Sequence, residues 1–129
     1  MNYIYLTKQW VHVVQIKEQS MLIDFKNIKE DVLKNFHGGD KEVMCRAFND
    51  EYNKIMVTKM IPGSSNGIHK HVENAEIFYV LSGSGYAITD GIKEILKPGV
   101  ASYCKKGSTH EIVNDGKVDL VCFNVVCKQ

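Results

Sequence analysis

The sequence predicts an all-β fold, a sandwich or small closed barrel of short strands. Three observations carry that prediction. From Lys41 onward, apolar runs of three to seven residues recur down the chain. Each run is separated from the next by residues that favour turns. One separator, Asp90-Gly91, is a strong two-residue hairpin turn, because both central positions of that turn need positive φ and this pair tolerates it. Frequent glycine turns between short strands belong to sandwiches and barrels rather than to α/β folds.

Taken in order, the chain opens on a stretch with no clear partner. Residues 1–20 contain an apolar run, Val11–Ile16, broken by His12 and Gln15. That run is too short and too polar for a signal peptide or a membrane span. Two readings stay open for this leader: Met21 is the natural start, or residues 10–17 form an extra strand that packs on a partner subunit. Residues 21–129 are read as one domain, a usual size for a single core.

Asn27 to Gly38 carries the helical signal. Asn27 can cap the first turn, Glu30 sits where it can return the capping interaction, and Ile28, Val32, Leu33 and Phe36 share one helical face. Gly38-Gly39 would end the helix, as glycine commonly does. The spacing therefore predicts one short N-terminal helix of about three turns, acting as a lid or brace. Strands are then expected at Val43–Phe48, Ile55–Ile61, Ile77–Leu81, Tyr86–Thr89, Glu94–Leu96, Ala101–Cys104, Glu111–Val113 and Leu120–Val126.

Composition narrows the function. A net charge of +1, with Lys105-Lys106 as the densest basic run, makes no electrostatic case for nucleic acid or an anionic membrane. Cys45, Cys104, Cys122 and Cys127 form no C-x-x-C pair and no dense framework, so reduced thiols in the cytoplasm are expected.

The chemistry concentrates between Gly63 and Gly83. His69 and His71 stand two apart, so on an extended strand both rings face one way. Val72 to Ala75 can turn a corner and start a new strand at Glu76. Two imidazole nitrogens and a carboxylate oxygen with open positions suit iron, manganese, nickel or zinc, and His110 can complete the set. Two surface histidines beside an exposed glutamate would give the same local pattern.

The spacing as a whole resembles the cupin superfamily. Gly63, five residues, His69-x-His71, four residues, Glu76, six residues and Gly83 match its first motif. Gly99, five residues, Lys105, one residue, Gly107, two residues, His110, three residues and Asn114 look like its second, with Lys105 where proline is usual. The resemblance implies a double-stranded β-helix, a cupin or jelly-roll barrel, with one divalent metal ion (Fe, Mn, Zn or Ni) in its mouth. Carried over residue by residue, the ligands are His69, His71, Glu76 and His110. Three neutral imidazoles and one carboxylate would leave one positive charge uncompensated on a divalent ion, and up to two of six positions open.

Neighbouring residues have plainer roles. Glu73 is set aside as a solvated loop residue, Glu111 points away from His110, and Asn114 is read as a structural hydrogen-bond partner. Phe78 and Val80 share the Glu76 face and should pack inside the barrel. Cys104 reads as a small buried hydrophobe, and His12 and His37 as exposed. Three residues are candidate substrate contacts: Arg46 if it points inward as a bidentate clamp, and Tyr86 and Tyr103 if their hydroxyls reach the metal. An outward Arg46 and packing tyrosines are the competing readings.

The expected function is that of a metal-binding cupin acting on a small molecule, most simply a metal-dependent enzyme of dioxygenase or isomerase type. A non-catalytic sugar- or carboxylate-binding cupin is the alternative. A homodimer is expected by resemblance, and because sheet edges and apolar faces need covering.

Overall fold

The computed structural model describes residues 21–129, so the leader, with His12, lies outside the described residues. Ten strands follow one another: β1 (Asp31–Lys34), β2 (Glu42–Asn49), β3 (Asn53–Met60), β4 (Ser65–Lys70), β5 (Asn74–Ser82), β6 (Gly85–Thr89), β7 (Ile92–Leu96), β8 (Ala101–Cys104), β9 (Thr109–Val113) and β10 (Leu120–Lys128). They form a six-stranded sheet, β1-β2-β3-β10-β5-β8, and a four-stranded sheet, β4-β9-β6-β7. All recorded pairings are antiparallel.

Period-two burial shows how the sheets face each other. Along β5, Phe78 and Val80 are fully buried while Ile77, Tyr79 and Leu81 are exposed. Ala87 and Leu96 of the smaller sheet join Val43, Met60, Phe78, Val80, Ile112, Leu120 and Cys122 in one core, so the apolar layer lies between the two sheets. Asp90 (φ 48) and Gly91 (φ 81) make the hairpin turn the sequence predicts between β6 and β7.

The predicted N-terminal helix does not form. Among the described residues helix is confined to two 3-10 turns, Phe25–Asn27 and Phe36–Gly38, with β1 between them. The cap is Asp24, which accepts from Lys26 N and from the Asn27 side chain. Leu33 pairs with Val43 on β2, and that pairing overrides a local helical pattern too short to be stable by itself. β4 is the extended stretch that the His69-x-His71 spacing requires, and it reaches back to Ser65.

The 35–41 strap that follows β1 is pressed against β4. A Cβ on Gly67 would stand 2.2 Å from the His37 carbonyl oxygen, and one on Gly39 would stand 2.1 Å from that of Ser65. Both glycines are there because the two backbones need that space.

Candidate metal centre

The two sheets bring His69, His71, Glu76 and His110 together on their facing sides. His69 lies on β4 and His71 just beyond it, Glu76 on β5, and His110 on β9. Between Asn66 and His69 the β4–β9 register shifts by one extra residue, a bulge that sets His69 directly opposite His110. His71 is tied to the turn before β9 by two backbone bonds, His71 N to Ser108 O at 2.9 Å and Gly107 N to His71 O at 2.6 Å. Ser108 N also donates to Lys105 O, so the turn closes without a proline.

The donor atoms converge. His110 Nε2 is 3.1 Å from the Nε2 atoms of both His69 and His71. Glu76 Oε1 is 3.3 Å from His71 Nε2 and 3.2 Å from His110 Nε2. One ligand atom from each of the four residues falls within 4.8 Å of every other. His71, Glu76 and His110 are buried, and His69 is half-buried.

Two rings are locked in the ligating tautomer. His69 Nδ1–H donates to Gly67 O at 2.7 Å, and His71 Nδ1–H donates to Asn74 Oδ1 at 2.6 Å. Each Nε2 therefore turns a lone pair toward the centre, where a carboxylate oxygen also points. His110 Nδ1 is buried with no partner among the described residues. Lone pairs facing one another in a largely buried site call for a cation between them. The spacing agrees: metal–ligand bonds of ~2.0–2.2 Å set neighbouring donors ~2.8–3.6 Å apart between right-angle and tetrahedral arrangements. The residues fit a divalent ion.

The far oxygen of the carboxylate is held separately. Asn124 Nδ2 donates to Glu76 Oε2 at 3.1 Å, and Thr58 Oγ1 donates to Asn124 Oδ1 at 2.8 Å. Electrostatics follow from these contacts. Burial pushes the Glu76 carboxyl up, but the His110 and His71 rings beside it outweigh burial and bring it to about 2. The neighbouring Glu76 carboxylate raises His71 against its burial. Burial takes His69 down to about 4.

The cluster opens into a cavity of about 280 Å³. Its wall includes Leu33, Phe36, Val43, Met56, Met60 and Ile112, with Lys54 as an inward-facing cation on β3. No described carboxylate lies within ion-pair distance of Lys54. His37, exposed as expected, nevertheless lines this cavity and stacks on the His69 ring at 4.0 Å. Its pKa is lowered, chiefly because the ring face stacked on His69 is shielded from water and then by His71.

Arg46, Tyr86 and Tyr103 are not brought to the cavity. Val43 and Cys45 take the inward positions of β2, so Arg46 turns out and donates to the Phe25 and Ile28 carbonyls, with Glu30 at 3.8 Å. Tyr86 lies under the Lys93 ammonium (4.4 Å to the ring centroid), and Tyr103 is exposed between the inward Ser102 and Cys104. Cys104 is fully buried, its thiol raised to about 11 by burial. Glu73 is exposed beside an outer cleft, away from the cluster. Sequence reasoning missed Lys54, Thr58, Asn74 and Asn124. A signal existed for one of them: Asn124 is the polar residue among the inward Leu120, Cys122 and Val126 of β10.

Comparison with known proteins agrees with the fold. Residues 56–126 match the Cupin domain family. The chain is 33% identical over 112 residues to an oxalate-binding protein of Thermotoga maritima, covering 82% of this chain and 93% of that protein. A shorter match, 38% over 58 residues, is to an uncharacterized protein of Methanocaldococcus jannaschii, covering 45% of this chain and 46% of that one. The crystal structure of a predicted oxalate decarboxylase from Thermotoga maritima superposes with a TM-score of 0.80 at 29% identity, over 84% of this chain and 100% of that one. The cupin domain of Schizosaccharomyces pombe Cnp3 shares the fold at a TM-score of 0.71 and 14% identity, over 88% of this chain and 77% of that one. With two facing antiparallel sheets and both motifs in place, this chain belongs to the cupin family.

Proposed function

We propose that this cupin holds one divalent metal ion on His69, His71, Glu76 and His110 and uses it to bind a small carboxylate in the cavity. The observation that carries the reading is the pair of locked imidazoles, whose Nε2 lone pairs share one centre with the Glu76 oxygen. A bound ion would accept ligand oxygens and polarise them. Around it the donor set leaves one positive charge, and the unpaired Lys54 ammonium adds a second facing the same cavity. An anion is the natural guest of such a site. Relatives described as an oxalate-binding protein and a predicted oxalate decarboxylase support this class of ligand.

Turnover of dioxygenase or isomerase type is the second reading. His37 favours it, as an imidazole in the cavity wall that is not one of the four converging donors. In that reading His37 accepts or returns a proton at the ligand while the four other side chains hold the metal.

A homodimer in the cytoplasm completes the proposal. The outer face of the six-stranded sheet exposes Ile77, Tyr79, Leu81 and Tyr103, an apolar surface that a second copy would cover. All four cysteines are free, which suits a reducing compartment. No helix among the described residues is long and apolar enough to cross a membrane.

The test is elemental analysis of protein purified without a nickel column or chelator, followed by calorimetric titration of oxalate into metal-loaded and stripped samples. One equivalent of metal and binding only to the loaded form are expected. Protein that neither retains nor takes up divalent metal refutes the reading.

A further inference from the structure

The cavity is larger and more apolar than a bare dicarboxylate requires. Oxalate has six heavy atoms, all of them polar or bonded to oxygen, and the metal and Lys54 would satisfy it entirely. A cavity of about 280 Å³ approaches the range that encloses drug-sized ligands, ~300–1,000 Å³. Much of the remaining lining is hydrocarbon and sulfur: Leu33 on β1, Phe36 on the strap, Val43 on β2, and Met56 and Met60 on β3. Oxalate would leave this wall against water, where it gains nothing from burial.

The division of the lining is informative. All four metal-facing residues lie inside the span that matches the family, 56–126. Leu33, Phe36, Val43 and Lys54 lie before it. The segment that sequence periodicity misreads as a helix thus supplies a cavity wall from outside the family span, pressed against β4 at Gly39 and Gly67 and tied to it by Ser65 N donating to Asp40 O at 2.9 Å. Cys45 Sγ stands 3.6 Å from Met56 Sδ on the same wall. Thioether side chains are flexible and polarizable, and they accommodate aliphatic or aromatic groups of several shapes.

We infer that the ligand is an amphipathic 2-oxo or 2-hydroxy acid. Its carboxylate and neighbouring oxygen face the metal and Lys54, and an apolar body the size of an isobutyl or benzyl group lies against Leu33, Phe36 and Met56. The inference rests on the metal-and-carboxylate reading above and adds the hydrophobic half of the ligand. It concerns binding alone and requires no reaction.

Calorimetric titration of the full chain, loaded with manganese or zinc, tests it with four probes: oxalate, pyruvate, 4-methyl-2-oxopentanoate and phenylpyruvate. Each buried methylene improves affinity roughly fourfold, so the three carbons added between pyruvate and 4-methyl-2-oxopentanoate are worth up to about fiftyfold. At least about tenfold is expected, with oxalate nearer to pyruvate. Phe36→Ser should pull that ratio down several-fold. Leu33→Ser, on an edge strand, does the same should the Phe36 variant fold poorly, and metal content is measured on every sample. Equal affinities, or oxalate the tightest of the four on metal-loaded protein, overturn the apolar-body inference while leaving the metal reading intact. Failure of every acid to bind loaded protein, or failure to load, overturns both.

Discussion

Replacing Asn114 by alanine should cost this fold about 4 kcal/mol, although the residue touches neither metal-facing side chain nor cavity. Asn114 is fully buried. Its Nδ2 donates to Met60 O and Val118 O, both at 2.8 Å, and its Oδ1 accepts from Gly116 N at 2.9 Å. One side chain thus fastens the end of β3 to the connection between β9 and β10. Backbone bonds from Gly63 N to Asn114 O and from Asn114 N to Ser64 O add the start of β4 to the same knot. Each lost side-chain bond removes roughly 1 kcal/mol, and the stranded Met60 carbonyl, cut off from water, adds a further penalty of about the same size. Urea unfolding followed by circular dichroism measures the loss, and the melting point should fall by roughly 10–20 °C. Asn114→Asp separates packing from hydrogen bonding, since it fills the same space but turns a carboxylate oxygen toward two carbonyls. It should be at least as damaging as alanine. An alanine variant within about 1 kcal/mol of the parent, or an aspartate variant milder than alanine, would refute this account of the knot.

Four further expectations follow from the contacts described above. Glu76→Gln removes the only negative charge among the four converging donors and should weaken divalent-metal affinity at least about a hundredfold in competition with a chromogenic chelator, with little change in far-ultraviolet dichroism. Chelation of the parent should lower its melting point, because a ligand of the folded state stabilises it by mass action. For the thiols, burial raises Cys104 to about 11 and Cys122 to about 12 from an ordinary value of 9.0, so above pH 9 the folded chain holds protons that the unfolded chain releases. Stability should therefore fall as pH climbs from 9 toward 12, and at neutral pH a disulfide reagent should find only the half-exposed Cys127 quickly. Arg46→Ala should loosen residues 25–30, where the guanidinium holds two carbonyls, at a cost of about 1–2 kcal/mol, and should speed tryptic cleavage at Lys26 and Lys29. Carboxylate affinity should stay within twofold of the parent; a larger loss would return Arg46 to the ligand.

Much of this architecture can be read from residue order, because a half-buried strand needs only period-two alternation and a turn to announce itself. The eight strands expected from Val43 onward all exist. The motif spacing also led directly to the cluster, since His69, His71, Glu76 and His110 are bound to their strands by short, regular offsets. What failed was whatever a distant element decides. Leu33 alternates like a helix locally, but Val43 pairs with it across β1–β2. Arg46 turned on strand parity, which the sequence leaves ambiguous until Cys45 is seen to face inward. Asn124 looked like one polar residue in an apolar strand; its purpose appears only when β10 lies beside β5 and its amide meets Glu76.

Where the strap crosses β4, neither chain leaves room for so much as a methyl group on Gly39 or Gly67. The wall that carries Phe36 and the strand that carries His69 are also tied together: Ser65 N donates to Asp40 O at 2.9 Å and Asp40 N to Ser65 Oγ at 2.7 Å, so neither can swing away without breaking those bonds. A guest of a different size cannot be admitted by flexing that side of the doorway. Its shape has to be negotiated by the side chains that hang from it, and a descendant protein seeking a new guest would change Leu33 or Phe36 long before it could alter the hinge.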